Sequence, residues 1–125
     1  MPYTAPIYDP GQAITGRAAE NLVGARFVKP SAVKVDGGNV PVVYADAGDH
    51  PIGVTQRDRS DTDAIAIYGS GHVLHVTASA GITAGAAIQT ANDGKVATFS
   101  SGRKVGVALE TADGDGDLIL AQVQL

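Results

Sequence analysis

The sequence predicts a mainly β chain, a small β-barrel or sandwich built from two similar halves and preceded by an extended N-terminal arm. Three observations lead there. Of 125 residues 16 are Gly, only 5% are aromatic and none is Trp, so the core must come from Val, Ile, Leu and Ala between many turns. Apolar residues alternate over short runs punctuated by Gly, Asp and Asn, as strands require. A pattern also occurs twice, with Ile52-Gly53-Val54 matched by Val105-Gly106-Val107.

The arm comes first. Tyr3, Ile7 and Tyr8 are scattered among Pro2, Pro6, Pro10 and Gly11, a mixture that favours extended backbone and sustains neither a helix nor a central strand. Two of the four tyrosines lie in this segment, and large apolar groups are wasteful on a segment that touches nothing. Fully extended, it would reach roughly 50 Å at about 3.3 Å per residue. Residues Arg17 to Val23 are the helical candidate, too short to stand alone.

Strands follow near Phe27 to Val28, Val40 to Ala45, Ile52 to Gln56 and Ala64 to Tyr68. The second half offers Ala86 to Thr90, Val96 to Phe99, Val105 to Glu110 and Leu118 to Leu125. Between the halves, Gly69-Ser70-Gly71 turns the chain into a strand from His72 to Thr77. In the repeat, Ile52 to Ile65 and Val105 to Leu118 have the same spacing of 13 residues, and Gly24-Ala25-Arg26-Phe27 parallels Gly85-Ala86-Ala87-Ile88. The turn Asp36-Gly37-Gly38-Asn39 parallels Asn92-Asp93-Gly94-Lys95. In the last strand Ile119, Ala121, Val123 and Leu125 share one face, while the other runs from Leu118 and Leu120 to Gln122 and Gln124, from covered to wet. The expected division is an arm over residues 1–20 and one β domain over residues 21–125, with the repeat at about 22–68 and 82–125.

Composition excludes much chemistry. With no Cys there is no disulfide framework, thiolate zinc site or thiol catalysis. No apolar run approaches the roughly 20 residues that cross a bilayer, and Met1 to Gly11 lacks the basic start and apolar core of a signal peptide. A net charge of −4 argues against a phosphate-gripping surface, and neither membrane nor nucleic acid is an expected partner. Arg17, Arg26, Lys29 and Lys34 against Glu20 form a small basic stretch that reads as a solvated surface, with contact to an acidic protein surface as the sharper alternative.

No catalytic apparatus is visible. His72 and His75, three apart in a strand, face opposite sides and cannot grip one ion together, and His50 precedes Pro51 in a turn. The serines lack a G-x-S-x-G elbow, and Gly69-Ser70-Gly71 lacks the third Gly of a dinucleotide loop. Asp113-Gly114-Asp115-Gly116-Asp117 resembles the start of an EF-hand loop, but Leu118 and Gln124 stand where Gly and the closing Glu are needed. No catalytic, cofactor-binding or metal-binding residue is therefore expected, and no cofactor.

Taken together, Tyr8-x-Pro10-Gly11-x-x-Ile14-Thr15, Val23-Gly24-x-x-Phe27-Val28, Ile52-Gly53-Val54, Val105-Gly106-Val107-Ala108 and Ala80-Gly81-Ile82-Thr83-Ala84-Gly85 resemble, in order and spacing, the capsid decoration (cement) proteins of tailed bacteriophages, with those of actinobacteriophages the closest. The resemblance covers nearly the whole chain. It implies a β-tulip-like fold and a non-enzymatic structural virion protein, made in the bacterial host cytoplasm. Such a protein sits on the outer surface of the head as a homotrimer, clamping neighbouring major capsid subunits. Carried onto this sequence, capsid contact falls on Tyr3, Ile7, Tyr8, Pro10 and Ile14, with Arg17 as a charged anchor. Another virion or tail β module is the alternative, and a small enzyme a more distant one.

Overall fold

A computed structural model of the chain describes residues 13–32 and 39–125. The first half contributes β1 (Ile14–Ala18), β2 (Arg26–Pro30), β3 (Val40–Tyr44), β4 (Gly53–Thr55) and β5 (Ala64–Ile67). The second contributes β6 (Val73–Thr77), β7 (Ala87–Thr90), β8 (Val96–Thr98), β9 (Lys104–Ala108) and β10 (Leu118–Val123), with a single 3-10 turn at Asn92–Gly94. The mainly β fold follows from short alternating runs. In β5 Ile65 and Ile67 point inward and Ala64 and Ala66 outward, and β10 buries Ile119, Ala121 and Val123 in the same way.

Each half forms one five-stranded sheet, ordered β4-β2-β3-β1-β5 in the first and β6-β10-β9-β7-β8 in the second. A single antiparallel bridge, Val54 to Tyr68, joins the ends of the first sheet, and a parallel bridge, Ala78 to Val96, joins those of the second. Both halves thus curl into small barrels, each with one seam reduced to a single bridge, the solution that leaves little strand edge exposed.

The two barrels share one topology and one register. Phe27 opposes Val54 and Val28 opposes Gly53, as Ala87 opposes Val107 and Ile88 opposes Gly106. Gly16 opposes Ile65 as Val76 opposes Ile119, and the parallel pair Ala18 and Val42 is matched by Ala78 and Val96. The loop bridges Leu22 to Arg59 and Ile82 to Ala112 correspond too. Strand by strand the halves correspond, with Gly53-Val54 matched to Gly106-Val107 as aligned from sequence and the matches at Gly24 and Ile65 displaced by one. Ala25 corresponds to Gly85 and Phe27 to Ala87, and Ile65 corresponds to the buried Ile119 rather than to Leu118, which is 60% exposed.

Two further expectations are corrected. Residues 14–18, assigned to the arm, are β1, hydrogen-bonded to β3 on one side and β5 on the other. β1 corresponds to β6, so the repeat takes in both strands and each unit has five. The helical candidate Arg17 to Val23 is extended: Ala18 pairs with Val42, and Leu22 exchanges backbone hydrogen bonds with Arg59 at 2.8 and 2.9 Å. A seven-residue helix cannot repay its nucleation cost, whereas here the N–H groups of Ala18, Ala19 and Leu22 donate to Asp63 O, Val42 O and Arg59 O.

Two cores result. The first gathers Ala18, Leu22, Val28, Val42, Ile65 and Ile67 inside the first barrel. The second fills the other barrel and continues outward through Phe27, Ala45 and Val54 of the first, so the barrels share a packed boundary. Gly94 seals it: a Cβ there would meet Phe27 O and lie 2.9 Å from Arg26 Cβ, and its N–H donates to Ala45 O at 2.7 Å.

Candidate functional site

Of the expected contact residues, Tyr3, Ile7, Tyr8 and Pro10 lie outside the described residues. Ile14 and Arg17 are brought onto one strand but not onto one face. Ile14 packs against the first core, because residues 14, 16 and 18 of β1 point inward. Arg17 points outward, half-buried beside a pocket of about 300 Å³ that Pro41, Asp61 and Thr62 also line. It forms no ion pair with the described residues.

The rest of the basic stretch is largely spent within the fold. Lys29 Nζ donates to Asp49 Oδ2 at 2.7 Å, and this hydrogen bond raises the lysine's pKa and lowers the aspartate's. The Arg26 guanidinium lies 5.5 Å from the centre of the Tyr44 ring and donates to Asp93 O across the barrel boundary at 3.4 Å. Lys34 lies outside the described residues. Arg17 is the member left facing solvent, a distinction sequence could not draw because the aspartate partner of Lys29 is 20 residues away.

The polar groups elsewhere serve the turns. Asp117 Oδ2 accepts from Asp113 N–H at 2.7 Å as Asp63 Oδ2 accepts from Ser60 N–H at 3.1 Å. Asp115 instead pairs with Lys95 at 2.9 Å, which lowers its pKa. The carboxylates of Asp115 and Asp117 thus have separate tasks, and no group of three or more His, Asp or Glu among the described residues is placed to hold a metal ion. His72 packs edge-on against Tyr68, ring centres 5.3 Å apart, with Nδ1 3.1 Å from Gly69 O, while His75 is exposed.

What the described surface offers instead is apolar. Val23 and Leu118, 47% and 60% exposed, flank a cleft of about 390 Å³ at the boundary between the barrels. Phe99 and Leu109, 40% and 46% exposed, stand on the outer face of the second barrel. Sequence reasoning missed this pair, because alternation places both near strand ends where either direction is open. Residues with these exposures suit contact with other protein surfaces.

Comparisons with known proteins agree with that character. Among solved structures, the chain is similar to the head fiber gp8.5 N base of bacteriophage phi29, with a TM-score of 0.74 over 90% of this chain and 93% of that one. At 22% identity the likeness shows the fold. No curated protein matches the chain. A family model described as phage cement protein matches residues 10–124, which takes in all ten described strands. The chain belongs to the family of phage cement proteins, structural proteins that decorate the phage capsid.

Proposed function

We propose that the protein binds the outer surface of an assembled phage head as a homotrimer and stabilises the capsid by clamping neighbouring major capsid subunits. The observation that carries this reading is the cement-protein match over residues 10–124, which begins in the Pro-rich arm and ends in β10. Tyr3, Ile7, Tyr8 and Pro10 supply adhesive contact, and Ile14 ties the arm to the body through the first core. Arg17 stands at the root of the arm, facing outward.

The strand geometry suits a clamp. β1 lies between β3 and β5, so a load on the arm is shared by ladders on both sides before any strand can slide. Three arms on one trimer also reinforce each other, because once one docks the others bind at high effective concentration. An acidic body at −4 has no need to meet packaged DNA.

The test is binding to heads that lack the protein. Full-length protein is expected to bind and to raise the temperature at which heads rupture. Removing residues 1–12, which leaves β1 whole, is expected to abolish most of that binding. Unchanged binding by the shortened chain would overturn the role of the arm.

A further inference from the structure

The barrels of one chain meet head to tail. The first presents the outward side of β2, β3 and β4, where Phe27, Ala45 and Val54 are fully buried by the second barrel. The second answers with a different surface. Thr77 donates to Ala25 O through its N–H at 2.9 Å and its hydroxyl at 3.0 Å, Gly94 donates to Ala45 O, and His75 O accepts from Gln56 Nε2 at 3.0 Å. Because unlike surfaces meet, the contact is heterologous, and among the described residues each barrel uses one mate of the pair in it.

The unused face of the second barrel is the counterpart of the face the first barrel buries. At the positions matching Phe27, Ala45, Val54 and Gln56 it carries Ala87, Phe99, Val107 and Leu109. Phe27 gives way to the smaller Ala87 and Val54 to another Val, but the other two changes run against solvation: a buried Ala is replaced by a Phe that is 40% exposed, and an exposed Gln by a Leu that is 46% exposed. The equivalent face of the first barrel runs along β1, where Thr15 and Arg17 match His75 and Thr77. Beside Arg17 lies the pocket of about 300 Å³, and on the second barrel the corresponding Thr77 and Gly116 face Ala25 and Arg26 of the first.

We propose that the face formed by Ala87, Phe99, Val107 and Leu109 is the seam between copies, covered by the first barrel of a second copy docked along its β1 at Thr15 and Arg17. The contact between copies then repeats the one within the chain, and Arg17 lies against the neighbouring copy rather than the capsid. This rests on the homotrimer reading and names its seam. Three copies joined this way use every open face if the ring closes.

The chain has no Cys, so a Thr15→Cys, Leu109→Cys double variant carries the sole two thiols. Treated with a short bismaleimide, it is expected to give covalent dimers and trimers on a denaturing gel, while each single variant stays monomeric. A monomer band alone from a sample whose native mass is that of a trimer would place the seam elsewhere and leave the homotrimer standing. A monomeric native mass at every concentration would overturn both. In a second experiment, Phe99→Asp with Leu109→Asp is expected to reduce the native mass to that of one chain with the far-ultraviolet circular dichroism unchanged. A folded variant that keeps the trimer mass would overturn the seam.

Discussion

Thr62 and Ala25 hold left-handed backbone at φ 77° and 60°, where L side chains are crowded, and the corresponding residues of the second barrel are Gly116 and Gly85 at φ 90° and 89°. The backbone course is common to both units while the residue that eases it is present in only one. Thr62 is exposed and β-branched, so Thr62→Gly removes strain with little burial lost, and it is expected to raise stability by about 1 kcal/mol. Thermal unfolding checks this as a rise of a few degrees in Tm. The paired Ile-Gly-Val and Val-Gly-Val motifs have the opposite demand. A Cβ on Gly53 would lie 2.6 Å from Tyr68 O, and one on Gly106 would strike Gln122 O, the corresponding atom. Gly106→Ala is therefore expected to destabilise by about 2 kcal/mol, read as a lower denaturation midpoint. This steric identity made the repeat legible in sequence. The one-residue slip arose because Gly24 and Gly85 look alike but act differently: Gly24 is pressed against the Gln56 backbone, whereas Gly85 supplies positive φ.

Among the elements, β1 shows where sequence fell short. Ile14-Thr15-Gly16-Arg17-Ala18 and Leu74-His75-Val76-Thr77-Ala78 share Ala alone, and β1 follows a Pro-rich stretch that masks its alternation. Gly16, an unfavourable strand residue by itself, fits a crowded position, where a Cβ would press on Ile67 Cδ1 and lie 3.0 Å from Val40 O. The strands from β2 onward were legible because their inward residues recur at period two between Gly and Asp turns, as in β5 and β10. Between β2 and the loop after β3, the Lys29–Asp49 pair gives a pH dependence whose sign is fixed. The lysine hydrogen bond, helped by the Asp46 N–H, holds Asp49 below its ordinary pKa, so its stabilisation is complete above the unfolded carboxylate value and lost as pH falls through the folded one. The raised Lys29 pKa adds stability that is complete below the unfolded lysine value and is lost as pH rises through the folded one. Asp49→Asn is expected to flatten the acid limb of the stability profile, measured by chemical denaturation between neutral pH and the acid transition.

At the scale of the molecule, two barrels of one design are joined by unlike faces, and the second core is incomplete without Phe27, Ala45 and Val54. Phe27→Ala places on the first barrel the residue that the second already tolerates as Ala87, so its cost reports the boundary between barrels rather than strand formation. That cost is expected to be about 3 kcal/mol by denaturant titration. The duplication and the family were legible from the repeated motifs. The pairing of faces was not, because it depends on which side of each barrel meets the other, and Phe99 and Leu109 gain meaning only once Ala45 and Gln56 are known to be their counterparts. The central claim is that this two-barrel body decorates the outside of the head. Its position in an intact particle, imaged by electron cryo-microscopy, tests that most directly. Density is expected on the outer capsid surface at three-fold and quasi-three-fold positions, bridging adjacent capsid subunits; density confined to the tail or to the interior of the head would contradict this placement.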